Sequence, residues 1–219
     1  MSDQQEREVC ESAVSDVQEG GVDERGVPGG AQRGRTGTPA EPAGAEPVLS
    51  WQGRYFEDFT VGDVYRHPLG RTVTTTDNIW LTLLTQNTAP LHFDAYYAAQ
   101  TEFGKPLVDS TFTLALVTGQ SVTDISQHVM ANLGWDKVRL PHPVFEGDTL
   151  YSQSEVLLAR RSTSRPEVGV VTVRTVGFNQ RGEIVIVFER TLLVYRRGHG
   201  PRFADVRPVW DERSRKALS

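Results

Sequence analysis

A long apolar helical run followed almost entirely by strand-like segments limits this chain to few architectures. Phe112, Leu114, Ala115, Leu116, Val117, Val122 and Ile125 recur at intervals that predict a helix over 110–127, hydrophobic on most of its faces. A helix of that kind must be buried. Downstream, the runs 150–158, 168–178 and 184–195 are rich in β-branched and aromatic residues, and Asn179-Gln180-Arg181-Gly182 reads as a hairpin turn between the last two. The expected class is therefore α+β, a buried helix packed against an antiparallel sheet.

The remaining segments are arranged around that core. The Gly62-Asp63 turn leads into a short strand at 64–67, and Thr74-Thr75-Thr76-Asp77 reads as a capping box for a helix over 75–87. Asp94 caps a helical turn over 94–100, which Gly104-Lys105-Pro106 ends. Residues 1–49 contain no Phe, Trp or Tyr, so this tail cannot bury enough apolar surface to offset the entropy of ordering it and is expected to be disordered. The folded domain is expected over 50–198. Residues 199–219 form a C-terminal extension that packs through Phe203, Val206 and Trp210 or frays. No internal repeat is present, which argues for a single unit rather than a fused pair.

Composition excludes several function classes. The formal charge of −5 and the absence of a dense Lys/Arg stripe argue against a nucleic-acid surface, Arg160-Arg161 and Arg196-Arg197 being isolated pairs. No glycine-rich dinucleotide fingerprint or phosphate-binding Walker loop occurs. No signal-peptide core or membrane-length apolar run is seen, and the acidic residues of the tail argue against a transit peptide. The sole cysteine, Cys10, lies in the tail, so an intramolecular disulfide and a cysteine metal site are both excluded and a reducing cytoplasm is expected.

The chemistry concentrates in Gln86-Asn87-Thr88-Ala89-Pro90-Leu91-His92-Phe93-Asp94. Pro90 disfavours helix at Ala89, so the chain must turn there, and His92 sits on a short loop at a helix end. An imidazole titrates near neutrality and suits proton transfer, while an amide at Asn87 can orient a water or a substrate oxygen. Asn87-Thr88-Ala89-Pro90-Leu91-His92 resembles the Asp-x-Asn-Pro-x-His signature of the MaoC-like (R)-specific enoyl-CoA hydratases, with asparagine in place of the leading aspartate. Tyr55-Phe56-Glu57-Asp58-Phe59-Thr60-Val61-Gly62-Asp63 and Pro143-Val144-Phe145-Glu146-Gly147-Asp148-Thr149-Leu150 resemble further segments of that family. The resemblance covers roughly 51–197. The Asn-Thr-x-x-Leu-His form, with Ser162-Thr163-Ser164-Arg165-Pro166 downstream, is most similar to the branch acting on C5 dicarboxylic thioesters such as itaconyl-CoA and mesaconyl-CoA.

That resemblance implies a single hotdog fold and reversible addition of water across the α,β-double bond of an enoyl-CoA, mesaconyl-CoA giving β-methylmalyl-CoA in one such case. It implies His92 and Asn87 as catalytic residues, and the backbone amide of Ser110, at the start of the central helix, as the oxyanion contact. Asp109 lies beside it. Arg160, Arg161 and Arg165 could grip phosphates or a carboxylate of the substrate. No metal or redox cofactor is expected, coenzyme A entering only as part of the substrate. A homodimer is expected, because a single hotdog leaves a sheet edge and a helix face to be completed by another copy. Two alternatives stay open: a hotdog acyl-CoA thioesterase using Asp109 to activate water, and a non-catalytic acyl-CoA-binding hotdog. His67, His128, His142 and His199 read as structural.

Overall fold

The computed structural model describes residues 51–202, 206–209 and 211–217. The expectations for the tail, Cys10, Phe203 and Trp210 therefore lie outside the described residues. Five strands, β1 (Val64–Thr72), β2 (Val129–Arg139), β3 (Thr149–Arg161), β4 (Val168–Phe178) and β5 (Ile184–Tyr195), form one antiparallel sheet in the order β1-β3-β4-β5-β2. The three runs expected from β-branched composition are β3, β4 and β5, which form the centre of the sheet. The hairpin between β4 and β5 closes through the Gly182 N–H donating to the Asn179 carbonyl at 2.9 Å.

The edges depart from expectation. β1 extends well beyond 64–67, with a bulge between His67 and Arg71. β2 corresponds to none of the expected strands. Its pairing with β5 slips between Val129 and Ala131, between Asn132 and Gly134, and between Asp136 and Arg139, and Lys137 stands at a φ of 51°. A ladder broken this often loses the two-residue alternation that identifies a strand in sequence.

The helices are α1 (Thr75–Thr85), a single turn α2 (Ala95–Ala98), α3 (Ser110–Gln120) and the terminal α4 (Glu212–Lys216), with a 3-10 turn at Pro90–His92 between α1 and α2. The helix expected over 110–127 is found as α3 followed by a π turn, Val122–Ser126. It is not buried all round. Thr113 and Val117 are its buried residues, and Phe112, Leu114 and Leu116 pack half-buried against Val73, Val108, Val144, Leu150, Ile186 and Phe188. Gly177 on β4 permits the close approach of α3: a Cβ there would lie 2.8 Å from Val117 Cγ2 and 2.7 Å from Ile186 Cγ2.

Beyond the π turn the core is partly polar. Arg54 donates to Asp124 at 2.8 Å, Asp124 faces His67 Nδ1 at 3.0 Å, and His67 Nε2 meets the Ser154 hydroxyl at 2.9 Å. Burial lowers the His67 pKa despite the pull of Asp124, so the ring is held neutral in the core. Its structural reading stands.

α1 is turned opposite to what its apolar residues suggest. Asn78 and Thr82 are its buried residues, whereas Trp80, Leu83 and Leu84 are 65%, 72% and 79% exposed. Among the described residues, no helix is long and apolar enough to cross a membrane.

Candidate active site

The site is assembled where α1 ends, the 3-10 turn follows and α3 begins. α1 stops at Gln86, whose φ of 56° is left-handed, and the Asn87 N–H returns to the Thr82 carbonyl at 2.9 Å. The Asn87 side chain then closes a tight turn by accepting from the Ala89 N–H at 3.0 Å. Pro90 opens the 3-10 turn that carries His92.

His92 is fixed by its ring. Nδ1 lies 2.8 Å from the Leu107 carbonyl oxygen, and since a carbonyl only accepts, Nδ1 carries the proton. In the neutral ring Nε2 is then left with its lone pair, the atom a general base needs. Asn78, which no local sequence pattern singles out, holds the rest of the arrangement. From the buried side of α1 its amide donates to the His92 carbonyl at 2.7 Å and to the Leu107 carbonyl at 3.0 Å. Its Oδ1 accepts the Asp109 N–H at 2.9 Å. The loop bearing His92 and the strand-like segment leading into α3 are thereby locked to one side chain.

Asp109 is the N-cap of α3. One oxygen accepts from the Thr111 N–H at 2.6 Å, the Thr111 hydroxyl at 2.5 Å and the Phe112 N–H at 3.4 Å; the other accepts from Asn87 Nδ2 at 2.6 Å. Burial alone would raise this carboxyl, but the bonds from Thr111, Asn87 and Phe112 outweigh it and hold Asp109 below the usual carboxylate range. So engaged, it is a poor base for activating water. The Thr113 N–H bonds to the Asp109 carbonyl at 3.2 Å, which leaves the Ser110 N–H as the one first-turn donor of α3 with no hydrogen bond among the described residues. It sits at the positive end of the helix dipole.

His92, Asn87, Asp109 and Ser110 are thus brought together through the segment 107–110. Arg160, Arg161 and Arg165 are not. The start of β3 lies on the site side, since Val73 pairs with Asp148, Leu107 bridges to Phe145 and Thr149 opens the strand. Arg160 and Arg161 close the same strand, roughly 35 Å further on at about 3.3 Å per residue. Arg165, in the loop beyond, faces Glu167 at 3.8 Å. A carboxylate grip by these arginines at His92 is therefore not formed within one chain, because β3 runs extended between the two ends.

Two cavities flank the cluster. One of about 330 Å³ runs beside the first turn of α3, touching Val108, Ser110 and Thr113, with the segment Leu140, Pro141, His142, Pro143 and Val144 along it. The other, about 380 Å³, opens at the end of α1 and is lined by Ile79, Thr82, Leu83, Asn87 and Phe93. A roomier groove of about 690 Å³, over Arg66, Tyr151, Phe178 and Arg181, touches none of the candidate residues and is set aside as a catalytic site.

A five-stranded sheet around a central helix, with His92 on a Pro-Leu-His turn at the mouth of that helix, defines a MaoC-like hotdog protein. Residues 49–207 match the family model described as mesaconyl-CoA hydratase, and the chain belongs to that family. It is 36% identical over 145 residues to mesaconyl-CoA hydratase of Cereibacter sphaeroides, an alignment covering 66% of this chain and 42% of the relative. A solved structure titled a monoamine oxidase regulatory protein, from Archaeoglobus, superposes with a TM-score of 0.60 at 32% identity, covering 68% of this chain and 99% of that one. A Mycobacterium tuberculosis protein with a double hotdog fold shares the fold at a TM-score of 0.63 and 24% identity, covering 72% of this chain and 48% of the other. The chain spans about two fifths of the length of the curated relatives it matches. The expected α+β hotdog class is the one found.

Proposed function

We propose that this protein catalyses reversible hydration of an enoyl-CoA, and that the acyl group is a C5 dicarboxylic one such as mesaconyl or itaconyl. The observation that carries the reading is the paired state of two atoms: His92 Nε2 left as a base by the Nδ1 bond to Leu107, and the Ser110 N–H left as a donor by Asp109. His92 Nε2 takes a proton from water as its oxygen bonds to Cβ of the substrate. The thioester oxygen gains charge and is met by the Ser110 N–H, and the imidazolium returns its proton to Cα. Asn87 keeps one amide hydrogen and one lone pair beyond its bonds to Asp109 and Ala89, enough to orient the water. The addition transfers no electrons, so it calls for no redox cofactor. A coenzyme A thioester as substrate supports a cytoplasmic site of action.

A second copy of the chain is the proposed partner. The exposed Trp80, Leu83 and Leu84 of α1 support it, because soluble single chains rarely leave such a face uncovered. The relatives' length beyond the matched part leaves room for a second such unit.

Crotonyl-, mesaconyl- and itaconyl-CoA, followed for loss of double-bond absorbance and for free thiol, test the reaction. Loss of the double bond without thiol is expected, and His92→Ala should lower its rate by about 10²-fold or more in a folded protein. Thiol release would establish the thioesterase, and no reaction in either readout the binding module.

A further inference from the structure

We propose that His142 reads the far carboxylate of a dicarboxylic acyl group, as the specificity residue of the cavity that begins at Ser110. The inference rests on the hydration reading above and adds how the substrate class is chosen. An acyl group whose thioester oxygen meets the Ser110 N–H has the cavity of about 330 Å³ beside it. Nearly all of that cavity is apolar: Phe103, Leu107, Val108, Leu140 and Val144 line it, and His142 is the one titratable side chain among the lining residues. A carboxylate entering such a space needs a donor to offset the water it loses. Within one chain Arg160, Arg161 and Arg165 do not supply it, standing at the other end of β3.

His142 is built to do so. Its Nδ1 lies 2.8 Å from the Ile184 carbonyl oxygen, so that nitrogen donates to the backbone of β5 and Nε2 is the atom left to meet a ligand. Pro141 and Pro143 flank it and fix the backbone on either side, which limits how far the ring can swing. With a proton on Nε2 the ring donates to both the Ile184 carbonyl and a carboxylate, a charge-assisted bond. The neighbouring acid, Glu183, accepts from Asn179 at 2.7 Å and Arg181 at 2.8 Å through one oxygen, and its negative charge lies close enough to His142 to favour a proton on the ring. Lys105, two residues before the cavity-lining Leu107, has its Nζ 4.3 Å from the centre of the Phe145 ring and serves as the control cation.

The test compares mesaconyl-CoA with crotonyl-CoA, which lacks the second carboxylate, in steady-state hydration by the full chain. His142→Ala is expected to raise KM for mesaconyl-CoA about tenfold or more while changing crotonyl-CoA less than about twofold, the scale of one lost hydrogen bond to a charged group. Equal effects on both substrates, or none on either, overturn the proposal; so does a selective loss produced by Lys105→Ala instead. Should circular dichroism show His142→Ala unfolded, His142→Asn is read by the same criteria. A wild-type protein that hydrates crotonyl-CoA in preference to mesaconyl-CoA sinks the His142 assignment and leaves hydration standing. One that hydrates neither sinks both.

Discussion

Removing the Asn78 amide would leave the His92 carbonyl and the Asp109 N–H without this partner at once, and the Leu107 carbonyl with His92 Nδ1 alone. Each buried group left unsatisfied costs on the order of 1–3 kcal/mol, and here the penalty falls on the backbone that aims His92. Asn78→Ala is therefore expected to lower kcat about tenfold or more with little change in KM, alongside a lower Tm. A variant with a lower Tm but wild-type kcat would make Asn78 merely structural. The motif 87–92 was legible in sequence because it is local, a helix end and a proline fixing a histidine. Asn78 was not, since a polar residue in a helix reads as a solvent position unless its distant partners are known. The proton on His92 Nδ1 is set by Leu107, a contact that no local pattern encodes.

α1 begins with the capping box that the sequence announced. Thr74 accepts from the Asp77 N–H at 3.3 Å, and Asp77 returns a bond to the Thr74 N–H at 2.8 Å. Arg71 adds two bonds to Asp77, at 3.0 and 2.6 Å, and these above all bring its pKa from 3.8 down to about 2. A carboxyl lowered on folding stabilises fully above its unfolded value, so this contribution is complete above 3.8 and is lost as pH falls through about 2. Asp77→Ala should cost about 0.5–2 kcal/mol near neutrality, read as a lower denaturant midpoint. It should also lose less stability than wild type between pH 4 and 2; an unchanged acid limb would remove Asp77 from it. The strands divide in the same way between legible and hidden. β3, β4 and β5 pair on both sides and carry composition that says so, whereas β2, with Asn132, Gly134, Asp136 and Lys137 along a slipping edge, owes its conformation to β5.

At the scale of the whole molecule, α1 is the element whose large apolar residues do not serve its own core. Its buried positions are the polar Asn78 and Thr82, while Leu83 and Leu84 are exposed. If a second copy covers them, wild-type protein should elute at the mass of a dimer, and Leu84→Asp, at a position 79% exposed, should shift it toward monomer without altering its circular dichroism. Wild-type protein at monomer mass under micromolar conditions would reject that assembly. The inverted helix has a kinetic consequence as well. Asn78 sits on α1 and Asn87 just past its end, so whatever steadies the outer face of that helix steadies the proton-transfer corner. Specific activity then becomes a function of how dilute the enzyme is, falling in assays run below the dissociation constant of the pair.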